Sequence, residues 1–219
     1  MSDRLYKVTH ADGRLYHGIG RWNLPKNGQP GEWMPPILGP LVACRNGYHL
    51  CERDTLIYWL GEAIHEVEYR GEMIRPAQDK ILVREVRIVH TLSTWTERTA
   101  RLLAADCAEH VLPLFEAERP NDDRPRTAIA VARCFARGTA TEQQLTAAGD
   151  AAGAASRAAE AAARAAGDAA WAAEAAARAA GDAAWAAGAA AGAASRAAEA
   201  AERKWQTDRL WFYLDGGGA

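Results

Sequence analysis

Two hydrophobic rhythms divide this chain. Up to about residue 92, short stretches alternate apolar and polar positions, the period-two signature of half-buried strands; from Ser93 onward apolar positions recur at three and four, the signature of helices. Leu5–His10 and Leu15–His17 flank Ala11-Asp12-Gly13-Arg14, and the Asp-Gly turn signal predicts a hairpin. Residues 21–40, rich in Gly, Pro and Asn, predict an ordered irregular loop whose Trp22 and Trp33 need cover. Arg53–Leu60 reads as a helix, Ile64–Tyr69 as a strand, and Lys80–His90 as a strand with Ile81, Val83 and Glu85 on one side and Leu82, Arg84, Val86 and Ile88 on the other.

Beyond Ser93, Thr94-Trp95-Thr96-Glu97 fits a capping box that starts a helix. Leu102, Leu103, Cys107, His110, Val111 and Leu114 mark its apolar side, and Pro113 should kink it or end its regular hydrogen bonding. A second helix is expected after the Asp122-Asp123-Arg124-Pro125 turn, with Pro125 near its first position and Gly138 as its stop. Thr139-Ala140-Thr141-Glu142 then opens a helix leading into a block written almost entirely in alanine. Within this block AARAAGDAAWAA recurs after fourteen residues, and one row of exceptions to alanine from Arg157 to Glu202 runs at alternating steps of three and four, with Asp168, Asp182 and Arg196 as a sparser second row beside it. The Gly-Asp pairs at 149–150, 167–168 and 181–182 each resemble a helix stop and a new cap, whereas the unbroken spacing favours continuous helix. Alanine has the highest helix propensity but buries little apolar area, so the block requires close approach to another helix, and self-association along its alanine face is expected.

The expected fold class is therefore α+β: a small N-terminal mixed α+β domain followed by an all-helical region with a long Ala-rich helix or helical hairpin. The boundaries read as a head over 1–92, a two-helix segment over 93–146, the Ala-rich repeat over 147–204, and an aromatic segment with a Gly tail over 205–219. Trp205, Leu210, Trp211, Phe212 and Leu214 in that last segment are too apolar to stay in water and should dock on a body or on a partner chain.

Charge narrows the function classes. With 26 basic and 28 acidic residues and a net charge of −2, no overall field draws the chain to nucleic acid or an anionic membrane. The first residues lack the apolar run of a secretory signal, and the charges in the alanine block forbid a membrane span, so a cytoplasmic protein is the expectation. The four cysteines are too scattered for a disulfide framework.

Several residue sets invite chemistry. Cys44, His49 and Cys51 with His17 have zinc-ligand types at unusual spacing. Cys107 and His110 share a helical turn, as a nucleophile and its base would, with neither oxyanion donor nor orienting acid in view. Arg124 and Arg126 are guanidinium forks suited to an acidic partner, or else helix-start residues tied to Asp122 or Asp123. Trp171 and Trp185, two heptads apart, form either a recognition stripe or knobs between alanine-faced helices. The weighing leaves no catalytic residue, cofactor or metal predicted, and Arg124, Arg126, Trp171 and Trp185 as the partner-binding candidates.

Two resemblances add a setting. Ala105-Asp106-Cys107-Ala108-Glu109-His110-Val111-Leu112-Pro113, Asp123-Arg124-Pro125-Arg126-Thr127-Ala128-Ile129 and Ala136-Arg137-Gly138, ahead of Ala-rich repeats, resemble the immunity protein family of bacterial toxin systems. Tyr16-His17-Gly18, Gly47-Tyr48-His49-Leu50-Cys51 and the strand from Asp79 to Glu85 resemble a phage-associated domain often followed by repeats. Together they imply a non-enzymatic phage, mobile-element or bacterial protein that binds a toxin, a defence protein or a host factor, and that forms a homo-oligomer through its Ala-rich helix. Two alternatives stand beside this: a structural phage component, and an enzyme head in which Tyr16-His17-Gly18, Gly47-Tyr48-His49 and Glu85 resemble the layout of small ADP-ribosyltransferases, where an early-strand His holds NAD, an aromatic residue stacks on nicotinamide and a Glu polarises the ribose hydroxyl.

Overall fold

The computed structural model describes residues 4–16, 19–77, 80–154 and 183–217, without the side chains of Ala77, Glu118 and 183–197. The chain divides into two compact units, Met1–Glu97 with Thr207–Ala219, and Arg98–Gln206.

The first unit is built on a long antiparallel hairpin, β3 (Ala63–Ala77) and β4 (Lys80–Thr91). β1 (Leu5–Thr9) lies along β3, and the short β2 (Tyr48–Leu50) along β4, giving the order β1-β3-β4-β2. The sheet then curls until its edges meet: Tyr6 and Cys51 exchange both backbone hydrogen bonds at 2.9 Å. Closure of this kind removes edges that would otherwise template aggregation. Where β4 runs past β2, the 31–37 segment covers it instead, with the amides of Gly31, Met34 and Ile37 donating to the carbonyls of Ile88, Val86 and Arg84. Gly31 is essential to that approach, because a Cβ there would lie 2.0 Å from the Asn23 carbonyl oxygen. Gly31→Ala is expected to destabilise this unit by about 2 kcal/mol or more, since the obstacle is backbone and cannot rotate away; chemical denaturation measures it.

Leu5, Trp22, Leu50, Val67, Ile81, Val83, Val86 and Ile88 form one core inside the curl. Strict alternation along β4 would have put Val83 and Val86 on opposite faces. Both valines nonetheless join this core, and the β3–β4 register shifts between Arg70 and Met73, beside Gly71 at φ 73°. β1 pairs with β3 rather than with residues 15–17, although the tight turn at Gly13 forms as the Asp-Gly signal predicts, with φ 88°.

The last turns of the chain also belong to this unit. Leu210 and Trp211 are buried here, with the Trp211 ring 5.2 Å from that of Tyr6 and under the guanidinium of Arg53. Trp211 Nε1–H donates to the Arg53 carbonyl at 3.2 Å, and Gly216, at φ 95°, ends the helix. The hydroxyl of Thr94 donates to the Leu214 carbonyl at 2.7 Å, capping the end of this last helix.

The second unit contains α1 (Glu97–Glu118), which enters it at Arg98, α2 (Arg124–Ala136) and α3 (residues 142–154). It also holds the part of α4 (Ala183–Leu214) up to Gln206. Pro125 occupies the first turn of α2 and Gly138, at φ 76°, stops it. α3 is opened by Thr141 and Gln144, whose side chains bond each other's backbone amides, a capping box two residues beyond the predicted one. α1 continues through Pro113 to Glu118. Its buried residues are Leu102, Leu103, Ala105, Asp106 and Leu112, while Val111 and Leu114 of the predicted apolar side are exposed.

The expected fold class is corrected on two counts. The N-terminal region is a curled antiparallel sheet, not a small mixed α+β domain: the predicted helix over Arg53–Leu60 is one 3-10 turn, Leu56–Tyr58. Three consecutive apolar positions there serve a short connection into β3, with Leu56 alone fully buried, so there is no second helical turn to sustain. Nor do the described residues form a long Ala-rich helical hairpin. α4 leaves the alanine block as a single helix and ends in the first unit, because its aromatic terminus finds a core there. The Gly167-Asp168 and Gly181-Asp182 pairs lie outside the described residues.

Candidate functional site

In the second unit, alanine spacing and charge create two features along α1 and α2. Ala104, Ala105 and Ala108 of α1 face Ala128, Ile129 and Ala132 of α2, and side chains this small leave a cavity of about 270 Å³, also lined by Arg101 and by Leu145 of α3. The Arg101 guanidinium lies 4.8 Å from the centre of the Phe135 ring.

The second feature is a set of charged crosslinks. Arg133 of α2 reaches Asp106 at 2.5 Å and Glu109 at 2.6 Å, one helical turn apart on α1. Asp106 is 7 % exposed, so its charge requires this compensation. The hydrogen bond from Arg133, first, and its charge hold the Glu109 carboxyl below its ordinary range. The same pairing keeps the Arg133 guanidinium protonated more firmly than a free one. The sequence signal for this network was available: Asp106 is the charged position among the buried residues of α1, and such a charge calls for a cation on the facing helix.

The two arginine candidates sit at the start of α2. Arg126 is gripped by Glu116 through Nε and Nη2 at 2.6–2.8 Å, and Arg124 by Asp122 through Nε and Nη2 at 2.6–2.7 Å. Hydrogen bonds from the Arg124 side chain and backbone hold Asp122 below the usual carboxylate range. The arginine side chains remain 61 % and 43 % exposed, respectively, so both are presented at the surface in fixed orientations. Trp185 lies on α4, its side chain outside what the structure describes, and Trp171 lies outside the described residues altogether.

The other sequence candidates are placed elsewhere. His110 stacks on Trp205 of α4, with ring centres 3.8 Å apart and planes 6° from parallel, and its Nε2 is 3.2 Å from the Glu202 carboxylate. Sequence reasoning named His110 for its proximity to Cys107 and missed this clasp, whose partners lie more than ninety positions away. In the first unit, the Nε2 of His49 accepts the Cys44 backbone N–H at 3.1 Å, which occupies the lone pair a metal would need there. Burial, then the charges of Lys7 and Lys80, lowers the pKa of His49. Cys51 is buried and Cys44 exposed, and His17 lies outside the described residues. No group of three His, Cys, Asp or Glu able to hold a metal ion occurs among the described residues. Glu85, the polarising acid of the NAD-binding alternative, sits on β4 opposite Arg70. No helix among the described residues is long and apolar enough to cross a membrane.

Residues 90–211, more than half the chain, match the family described as Imm-5 like putative immunity protein. No curated protein and no solved structure matches the chain. The matched span runs from the end of β4 through the helical unit to the docked turns of α4, and includes the Asp106–Glu109–Arg133 network, both surface arginines and the His110–Trp205 clasp. The chain belongs to this immunity protein family.

Proposed function

We propose that this protein neutralises another protein by binding it stoichiometrically, without chemistry of its own, and that the helical unit supplies the binding surface. The observation that carries the reading is the family match, whose span covers that unit from end to end. Arg124 and Arg126 serve as the cationic contacts. Each guanidinium is oriented by a neighbouring carboxylate and exposed, so little side-chain entropy remains to be lost when an acidic partner docks. Trp171 and Trp185 on the alanine block add aromatic contacts, and the alanine face of the block brings two copies together. The partner is a toxin, or a defence or host factor, and the protein works in the cytoplasm as part of a phage, mobile element or bacterial chromosome.

The purified chain and its toxic partner polypeptide are expected to form a complex. The Arg124→Glu, Arg126→Glu double variant should bind at least about tenfold more weakly, with unfolding of the free chain little changed. Equal affinity of variant and parent would remove the arginines from the interface. Absence of a complex would remove the reading itself. Light scattering of the chain alone should give at least twice its 23.6 kDa.

A further inference from the structure

His65 of β3 is 1 % exposed, and both of its ring nitrogens are bonded to threonine hydroxyls: Nε2 to Thr9 of β1 at 2.8 Å, and Nδ1 to Thr91 of β4 at 2.9 Å. The tautomer follows from counting protons. Thr9 donates its hydroxyl hydrogen to the His10 carbonyl at 2.7 Å, so it must accept from Nε2–H. Nδ1 of the neutral ring then carries the lone pair and accepts from Thr91. One neutral imidazole thus joins three strands.

We propose that His65 is an acid-sensitive staple, whose protonation releases β1 from the sheet and with it the seat of the last turns of α4. The surroundings offer the cation no compensation. Lys7 faces the ring from β1, with its ammonium held on the His49 carbonyl at 3.1 Å, and His90 faces it from β4. The adjacent Glu66 carboxylate is directed at His90 and Arg4, both at 3.7 Å, and Glu62 is held by His10 at 2.7 Å. A proton on Nδ1 would also require the Thr91 hydroxyl to turn round from donor to acceptor. Burial first, then Lys7 and His90, lowers the His65 pKa to about 4.

β1 is where the damage would spread. It carries Tyr6, which closes the curl through Cys51 and packs on Trp211. α4 reaches this unit from the unit that carries the helical part of the family match, so acid would loosen the anchored end of that helix.

The sign of the linkage is fixed by the depressed pKa. The released state binds the proton with an ordinary midpoint near 6.5 and the folded state only near 4, so the β1 anchor is at full strength above about pH 6.5 and weakens as pH falls toward 4. The protection of β1 amides against hydrogen exchange, corrected for intrinsic rates, is expected to drop roughly 100-fold between pH 7 and pH 4. α2 amides serve as the internal reference. In His65→Gln the pH-dependent part of this drop should vanish. If that variant fails to fold, histidine NMR of the parent chain decides: a His65 midpoint well below the other histidines, coincident with loss of β1 protection, supports the staple. Unchanged β1 protection at pH 4, or the same pH dependence in His65→Gln, would overturn it.

Discussion

Trp211→Ala is expected to lower the unfolding free energy of the first unit by about 4 kcal/mol, the range for truncating a buried aromatic. Three losses combine. The indole is 6 % exposed and would leave a cavity against Tyr6, its N–H bond to the Arg53 carbonyl would disappear, and the guanidinium of Arg53 would lose the ring beneath it. Trp211→Phe retains most of the volume and should cost less than half as much. Because α4 enters from the other unit, the consequence is wider than local stability: the end of α4 should lose hydrogen-exchange protection in Trp211→Ala while β4 retains its own. Uniform loss across both elements would instead mean that the helix end is not a separable seat.

Arg133→Ala has the second largest expected effect, about 3 kcal/mol on the helical unit. Removing one partner of a buried ion pair costs more than the pair itself contributes, because the remaining charge stays out of water. Asp106 would lose Arg133 as its counter-cation while Glu109, half exposed, could recover hydration, which places the cost at the lower end for such deletions. The control is Arg133→Met with Asp106→Asn, which removes both charges and should recover at least half of the loss. Thermal or denaturant unfolding of the two variants separates a charge effect from a packing effect. Equal destabilisation would show that the stem of Arg133, not its charge, is what α1 requires.

Much of this architecture could be read from local chemistry. Gly13 and Gly138 were identified because a turn and a helix stop each require a left-handed residue, and both adopt positive φ. β4 is legible as Lys80–His90 because a β-branched and alternating run of that length admits few other readings, and the structure extends it by one residue to Thr91. What escaped was non-local. Nothing in residues 5–9 says that they pair with 63–67 rather than with the neighbouring 15–17, because the choice depends on how the sheet curls. Val83 and Val86 join one core although they are three positions apart, which alternation along β4 alone does not predict. Val111 and Leu114 follow the apolar period of α1 yet face solvent, because α2 packs on the side marked by Ala105 and Leu112.

The candidate site divides along the same line. Arg124 and Arg126 were conspicuous as a charged pair around a helix-start proline, and their anchoring to Asp122 and Glu116 lies within ten positions. The Asp106–Glu109–Arg133 network and the His110–Trp205–Glu202 clasp required tertiary contacts across 24 to 95 positions and were not assembled from the sequence. His65 was unremarkable in a strand; only the threonines brought to both sides of its ring reveal it.

The central claim is stoichiometric neutralisation, and titrating a fixed amount of a toxic polypeptide that the chain binds with the purified protein tests it most directly. The account predicts that toxic activity falls linearly and ends at a fixed molar equivalence, with the complex recovered intact and neither polypeptide chemically altered. Neutralisation by a small fraction of an equivalent, or a covalent change in the toxin, would contradict it and identify the protein as an enzyme.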